Sequence, residues 1–319
     1  MASGRPTEGQ PLSLRARLAV GAYVLFTWPV MTAFLFGPLA VLLAASRPHG
    51  RRAWLWLIAL TLWLSLWAAQ AGGLLEEVIR ASAVLSAGVG VLFLLFSRGS
   101  VSSRALRGTG AVVLAVSTLA AVVGLRWRDV ELAVIHQGMA AEQAALELLS
   151  RGGASPDPTT LEALNTLGEG LRPMAPFFPG IMALLLFAGL CLAALLAPRI
   201  AGQAVAPLPG RFDDFRFSDH LVWVVIVGLI GVLFDAGGLV AGPASSLVAF
   251  GVGLYALRGS AVLATALRHA PRLFVVMLVV GALFLLPFAV GGVALLGLAD
   301  IWLDFRRRMA PPTSGGLDR

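Results

Sequence analysis

Leu273–Leu303 reads LFVVMLVVGALFLLPFAVGGVALLGLADIWL, 31 residues in which only Asp300 carries a charge. A membrane span takes about 20 apolar residues to cross ~30 Å of hydrocarbon. As one helix this stretch would measure roughly 46 Å, which is long for one passage and short for two. Its flanks decide between these options. Arg268 and Arg272 stand before it and Arg306, Arg307 and Arg308 after it. Short cytoplasmic loops collect basic residues, so both ends are expected on the same side, with the break at Pro287, Gly291 and Gly292. Leu18–Ala45, LAVGAYVLFTWPVMTAFLFGPLAVLLAA, repeats the pattern: Arg15 and Arg17 precede it, Arg47, Arg51 and Arg52 follow it, and Pro29, Gly37 and Pro38 supply its break. Both are read as hairpins of two short passages.

Between them, the runs Ala53–Ala71, Ile79–Phe96, Gly108–Leu125, Ile181–Leu196, Leu221–Val240 and Ser246–Leu267 are each long and apolar enough for one passage. The whole chain agrees: 58% of its 319 residues are hydrophobic and 13% charged, against about 25% charged in a soluble domain. The expected fold is an all-α polytopic transmembrane helix bundle of eight to ten hydrophobic passages. Arginine-bearing loops 47–52, 98–107, 199–219 and 268–272 are placed inside; 72–79 and 235–245 are placed outside. The connector Arg126–Arg172 holds four arginines against seven acids and is also placed outside. The chain thus divides into an N-terminal bundle (1–125), an extracytoplasmic helical connector (126–175) and a C-terminal bundle with a short cytoplasmic tail (176–319). Both termini are expected on the cytoplasmic side of a bacterial inner membrane. The connector reads as two helices: one with Leu132, Ile135, Met139, Leu146 and Leu149 on a single face, and a second capped by Asp157 after the turn Ser155-Pro156-Asp157-Pro158. Trp54, Trp56, Trp67, Trp223 and Trp302 suit interfacial anchoring.

Composition also narrows the chemistry. All 24 basic residues are arginine, so there is no P-loop or Schiff-base lysine. Cys191 is the one cysteine, which leaves no disulfide and no cysteine zinc site within the chain. His49, His136, His220 and His269 are isolated, with no HExxH, no Gly-x-Ser-x-Gly and no aspartate pair at mid-depth. No enzyme, metal or cofactor is expected, and the basic isoelectric point is ascribed to cytoplasmic loops, with no nucleic-acid partner. The glycines Gly228, Gly231, Gly237, Gly238, Gly251, Gly253 and Gly259 are read as points where helix backbones approach closely.

Charges inside spans carry the functional reading, because a charge at the bilayer centre is costly unless it faces protein or water. Asp235, Arg258, Asp300 and Asp304 qualify. Arg258 lies about 18 Å into its run and needs a partner, for which Asp300 is a candidate. Asp300 and Asp304 stand one turn apart on a shared face. Just before Leu221, the alternation of Phe212, Phe215 and Phe217 with charged residues suits both a helix cap, with Phe217 stapled on Val222, and a grip for a cytoplasmic partner through Arg216, Asp219 and His220.

The runs Phe215-Arg216-Phe217-Ser218-Asp219-His220-Leu221-Val222-Trp223, Tyr255-Ala256-Leu257-Arg258-Gly259 and Gly297-Leu298-Ala299-Asp300-Ile301-Trp302-Leu303-Asp304-Phe305-Arg306 resemble the YybS-like family of bacterial membrane proteins. Where that family tends to have Gln before the glycine of the Tyr motif, this chain has Arg258. The resemblance adds Tyr255 and Arg306 to the candidate residues. It implies a remote similarity to the S-components of energy-coupling-factor transporters and to the shape-determining protein MreD. Two functions follow as expectations. One is a small-molecule-binding or transport subunit in the lipid bilayer, energised by a separate ATPase partner. The other is a non-catalytic scaffold of a cell-envelope or division assembly.

Overall fold

The computed structural model describes residues 29–47, 50–151, 169–170, 172–203, 215–234, 240–305 and 308. Among these the chain forms ten α-helices and no strand. They are α1 (Pro29–Ala45), α2 (Arg51–Ala68), α3 (Leu74–Phe96), α4 (Val101–Val123) and α5 (Trp127–Arg151). There follow α6 (Phe178–Ala201), α7 (Val222–Phe234), α8 (Ala241–Ala266), α9 (Arg272–Phe284) and α10 (Leu286–Leu303). By length and composition, Leu74–Phe96, Val101–Val123, Arg172–Ala201 and Ala241–Ala266 are apolar enough to cross a membrane. Shorter apolar helices cover Thr32–Ala45, Asp219–Phe234, Leu273–Ala282 and Phe288–Leu303.

Helix α6 is the hub. It packs against α1, α4 and α8 through a buried surface of small residues, Gly180, Ala183, Gly189, Ala193, Ala194 and Ala197, interleaved with Leu186, Phe187 and Leu190. Small side chains let helix backbones approach within contact distance, which matters where lipid gives no hydrophobic drive to associate. The glycine expectation holds along α7 and α8. A methyl group on Gly228 would stand 2.9 Å from Val248 and one on Gly231 2.7 Å from Ala244, while one on Gly251 would meet Val225. Gly237 and Gly238 lie outside the described residues.

The long terminal runs behave differently from each other. The last one breaks at Leu285, which leaves the helical region (φ −110°, ψ 36°) just ahead of Pro287 and separates α9 from α10; Gly291 and Gly292, also expected at the break, lie inside α10. The first does not break at Gly37-Pro38. Helix α1 runs through both residues, and Pro38 is fully buried. A proline inside a helix leaves the carbonyl four residues earlier without its amide partner, here Phe34. Gly189 of α6 comes against that Phe34 carbonyl so closely that a Cβ would collide with it. The expected break is thus absent, and α1 stays helical where it packs closely on α6. Residues 18–28 lie outside the described residues, so the proposed first passage of that hairpin does too.

Two further expectations are corrected. The loop read as 98–107 is only Ser97–Ser100: α4 starts at Val101, with Ser100 as its cap accepting from the Ser103 amide. Arg104 and Arg107 sit inside the helix and donate back to the carbonyls of Gly99, Leu94 and Arg98. In the connector, the apolar face expected on α5 is divided: Ile135 packs on the core with Val130 and Val134, while Leu132 and Met139 are exposed. At the start of this helix the Trp127 ring lies on Gly242 of α8. The Ser155–Pro158 turn and the second connector helix capped by Asp157 lie outside the described residues.

Long-range hydrogen bonds show which connections share an end of the bundle. Gln203 after α6 donates to the Ser46 carbonyl after α1, and Ser102 at the start of α4 donates to the Arg216 carbonyl before α7, at 3.1 Å. Arg216 in turn reaches Asp304 after α10. Arg47, Arg51, Arg52, Arg98, Arg104, Arg107, Arg199 and Arg216 therefore cluster at one end. At the other, Ser246 of α8 donates to the Pro176 carbonyl before α6, at 2.7 Å. Arg80, Arg126 and Arg128 lie toward that other end, so arginine is concentrated at the first end without being confined to it.

The tightest helix crossing is between α8 and α10. A Cβ on Gly259 would strike the Val293 carbonyl and lie 2.9 Å from the Gly297 amide nitrogen; one on Gly297 would strike the Tyr255 carbonyl and lie 2.6 Å from the Gly259 nitrogen. Substituting Gly297→Ala is expected to lower stability by about 1–3 kcal/mol through overpacking. Gly281→Ala and Gly291→Ala, where nothing lies within 4 Å, should leave it unchanged or slightly raised. Thermal unfolding of the three variants in one lipid nanodisc composition checks this ranking.

Candidate functional site

The glycine crossing determines where Arg258 and Asp300 come to lie. Arg258 precedes Gly259 on α8, and Asp300 follows Gly297 by three residues on α10. With no side chain between the two backbones, Arg258 Nε donates to Asp300 Oδ2 at 3.1 Å. Its Nη1 donates to Asp219 Oδ1 at 2.7 Å. The Arg258 side chain is 5% exposed and that of Asp300 0%, whereas Asp219 is 60% exposed. One guanidinium is therefore held between a sealed carboxylate and an open one. Arg258 is also 5.7 Å from the centre of the Phe217 ring, within cation–π range.

The segment bearing Phe217 and Asp219 enters the bundle as non-helical chain, Phe215–Ser218, before a single 3₁₀ turn at Asp219–Leu221. Phe217 is buried and meets Tyr255 edge-on, ring centres 5.3 Å apart. Phe215 meets Phe217 at 5.9 Å and Phe187 of α6 at 6.2 Å. The expected staple of Phe217 on Val222 is replaced by this aromatic stack, and the Asp219 carboxylate is taken by Arg258. Ser218 makes no side-chain cap hydrogen bond. The alternating pattern thus places its rings inward. Between them Arg216, 54% exposed, pairs with Asp304 at 2.6 Å.

Six of the nine candidate residues meet here: Arg216, Asp219, Tyr255, Arg258, Asp300 and Asp304. His220 is exposed beside them. Asp235 and Arg306 lie outside the described residues. Asp300 and Asp304, one turn apart, serve two different arginines. Sequence reasoning missed the aromatic lining of Phe187, Phe215 and Phe217 as part of the site. A usable signal was the glycine in each motif, Gly259 and Gly297, which marks the place where α8 and α10 touch. Tyr255 is 3% exposed and its hydroxyl has no hydrogen-bond partner among the described residues. A buried hydroxyl without a partner is unfavourable by about 1–3 kcal/mol, so this one is available to a further group. No group of three or more His, Cys, Asp or Glu residues suited to a metal ion occurs among the described residues.

Losing one member of a sealed ion pair strands the other. Asp300→Asn should destabilise the protein by about 3–5 kcal/mol, while Asp304→Asn, at a largely solvated pair, should change stability by about 0–1 kcal/mol. Equilibrium unfolding of both variants in the same lipid environment measures the contrast.

Comparison with known proteins gives one match. Residues 18–301 fit the model of a family described as "Predicted membrane protein (DUF2232)". No curated protein and no solved structure matches the chain.

Proposed function

The chain belongs to the DUF2232 family of predicted membrane proteins, and from that premise we propose that it is a small-molecule-binding subunit of a transport system. The observation that carries this reading is the buried constellation of Arg258, Asp300 and the Tyr255 hydroxyl, which has no hydrogen-bond partner among the described residues. Ionisable groups inside a membrane bundle are expensive to keep and mark ligand or ion pathways, and ligand sites combine apolar walls with a few convergent polar groups. The aromatic rings of Phe187, Phe215 and Phe217 supply such walls. The resemblance to the YybS-like family and, through it, to S-components supports the same reading.

A separate ATPase partner supplies the energy in this proposal, because a chain without lysine has no P-loop of its own; the subunit itself is not an enzyme. Its place is the bacterial inner membrane, with the arginine-rich end and both termini cytoplasmic, as the positive-inside rule directs. One observation favours the scaffold alternative. Val276, Met277, Leu278, Val279 and Val280 of α9 are all exposed, so this short helix presents apolar side chains on every side, and a membrane partner could cover it.

Mass spectrometry of small molecules released from purified protein in nanodiscs tests the choice. Wild type is expected to retain a bound metabolite. Tyr255→Phe, which spares the ion pairs, should retain at least fivefold less, as loss of one hydrogen bond worth about 1 kcal/mol implies. Protein that retains nothing but co-purifies with a stable membrane partner lost on substituting α9 contradicts the transport reading and favours the scaffold.

A further inference from the structure

The Phe215–Asp219 segment has a chemical reading. Its backbone lies at the arginine-rich end, where Ser102 at the start of α4 reaches the Arg216 carbonyl. Its rings point inward: Phe217 to Tyr255, about 16 Å along α8 from its end at Ala266, and Phe215 to Phe187, about 21 Å along α6 from its end at Ala201. Each ion pair described for it has an exposed member, Asp219 on Arg258 and Arg216 on Asp304.

Resting on the small-molecule reading above, we propose that this segment is a tethered self-ligand, its Phe217 ring and Asp219 carboxylate occupying the site of an aromatic carboxylate. The two groups reproduce that chemistry on one guanidinium. The ring lies over Arg258 and edge-on to Tyr255, and the carboxylate takes Arg258 Nη1. Withdrawing the segment leaves Arg258 fixed by Asp300 through Nε, with its Nη edge open to a new carboxylate, the group that a guanidinium fork binds best. It also uncovers the Tyr255 hydroxyl, which no described residue satisfies, and leaves the Phe187 and Tyr255 rings as walls. Arg258 with Asp300 is neutral as a pair, so an incoming anion meets no net repulsion once Asp219 has left. Ligand and segment exclude each other, and binding therefore releases Phe215–Asp219 ahead of α7, a movement that a partner at that end can sense.

The probe is 3-phenylpropanoate, titrated by calorimetry against full-length protein in nanodiscs, with 3-phenylpropanamide lacking the charge and hexanoate lacking the ring. If the segment occupies the site for all but a tenth or less of the time, the doubly substituted Phe217→Ala, Asp219→Asn chain should bind 3-phenylpropanoate at least about tenfold more tightly than wild type. The amide should not bind. Adding Arg258→Gln to the double variant should abolish binding. Equal affinity in wild type and double variant, or equal binding of acid and amide, overturns the proposal.

A second measurement does not depend on the double variant folding. In a Cys191→Ala background, a thiol placed by Phe217→Cys should react faster with maleimide when 3-phenylpropanoate is added and at an unchanged rate with the amide; no acceleration by the acid overturns the proposal. Should wild type retain a metabolite through Tyr255 while the double variant gains nothing, the small-molecule reading stands and the self-ligand falls. Should neither retain nor bind anything, both fall.

Discussion

A single guanidinium organises the functional end of this bundle. Arg258 is too deep in α8 to reach water with its whole side chain, so its charge must be met inside the protein. Asp300 meets it from α10 with a side chain sealed from solvent, and Asp219 meets it from the chain leading into α7. Three segments distant in sequence are thereby held at one point. Removing Asp300 leaves the buried guanidinium with the solvated Asp219 carboxylate in place of its sealed partner, whereas the exposed Asp219 can exchange its partner for water. That asymmetry separates a fixed half of the site, α8 with α10, from a releasable half, the Phe215–Asp219 segment.

The fixed half depends on backbone proximity. Gly259 and Gly297 face each other so closely that neither position has room for a methyl group, and only at that separation does the arginine reach Asp300 through Nε. Small residues do the same along α6, which joins the N-terminal helices to α8 and carries Phe187 to the aromatic stack. Packing by glycine and alanine thus does more than bring helices together: it sets the depth at which polar groups face one another. The releasable half is held by rings and solvated ion pairs, interactions that a ligand of matching chemistry can replace.

Much of this was legible in the sequence, and the remainder failed for identifiable reasons. Charges in apolar runs are rare enough that Arg258 and Asp300 stood out, and the arginine-bearing loops named one end of the bundle before any coordinates. Pro287 marked a break that exists. Pro38 marked one that does not: α1 continues through it, packed closely on Gly189 of α6, about 150 residues away in sequence. The apolar face read for α5 is divided: Ile135 packs on the core while Leu132 and Met139 are exposed, and Trp127 meets Gly242 of α8. Phe217 was read as a local staple because capping patterns are local, while its actual partners, Tyr255 and Arg258, lie on a helix nearly 40 residues on.

The claim on which the rest depends is that Arg258 and Asp300 stabilise the bundle as a pair rather than separately. A double-mutant cycle of Arg258→Gln and Asp300→Asn, measured by equilibrium unfolding in nanodiscs, tests it directly. The account predicts that the double variant is markedly more stable than the sum of the single losses allows, with a coupling of about 2–3 kcal/mol, as for contacting residues in one network. Strictly additive losses would contradict it.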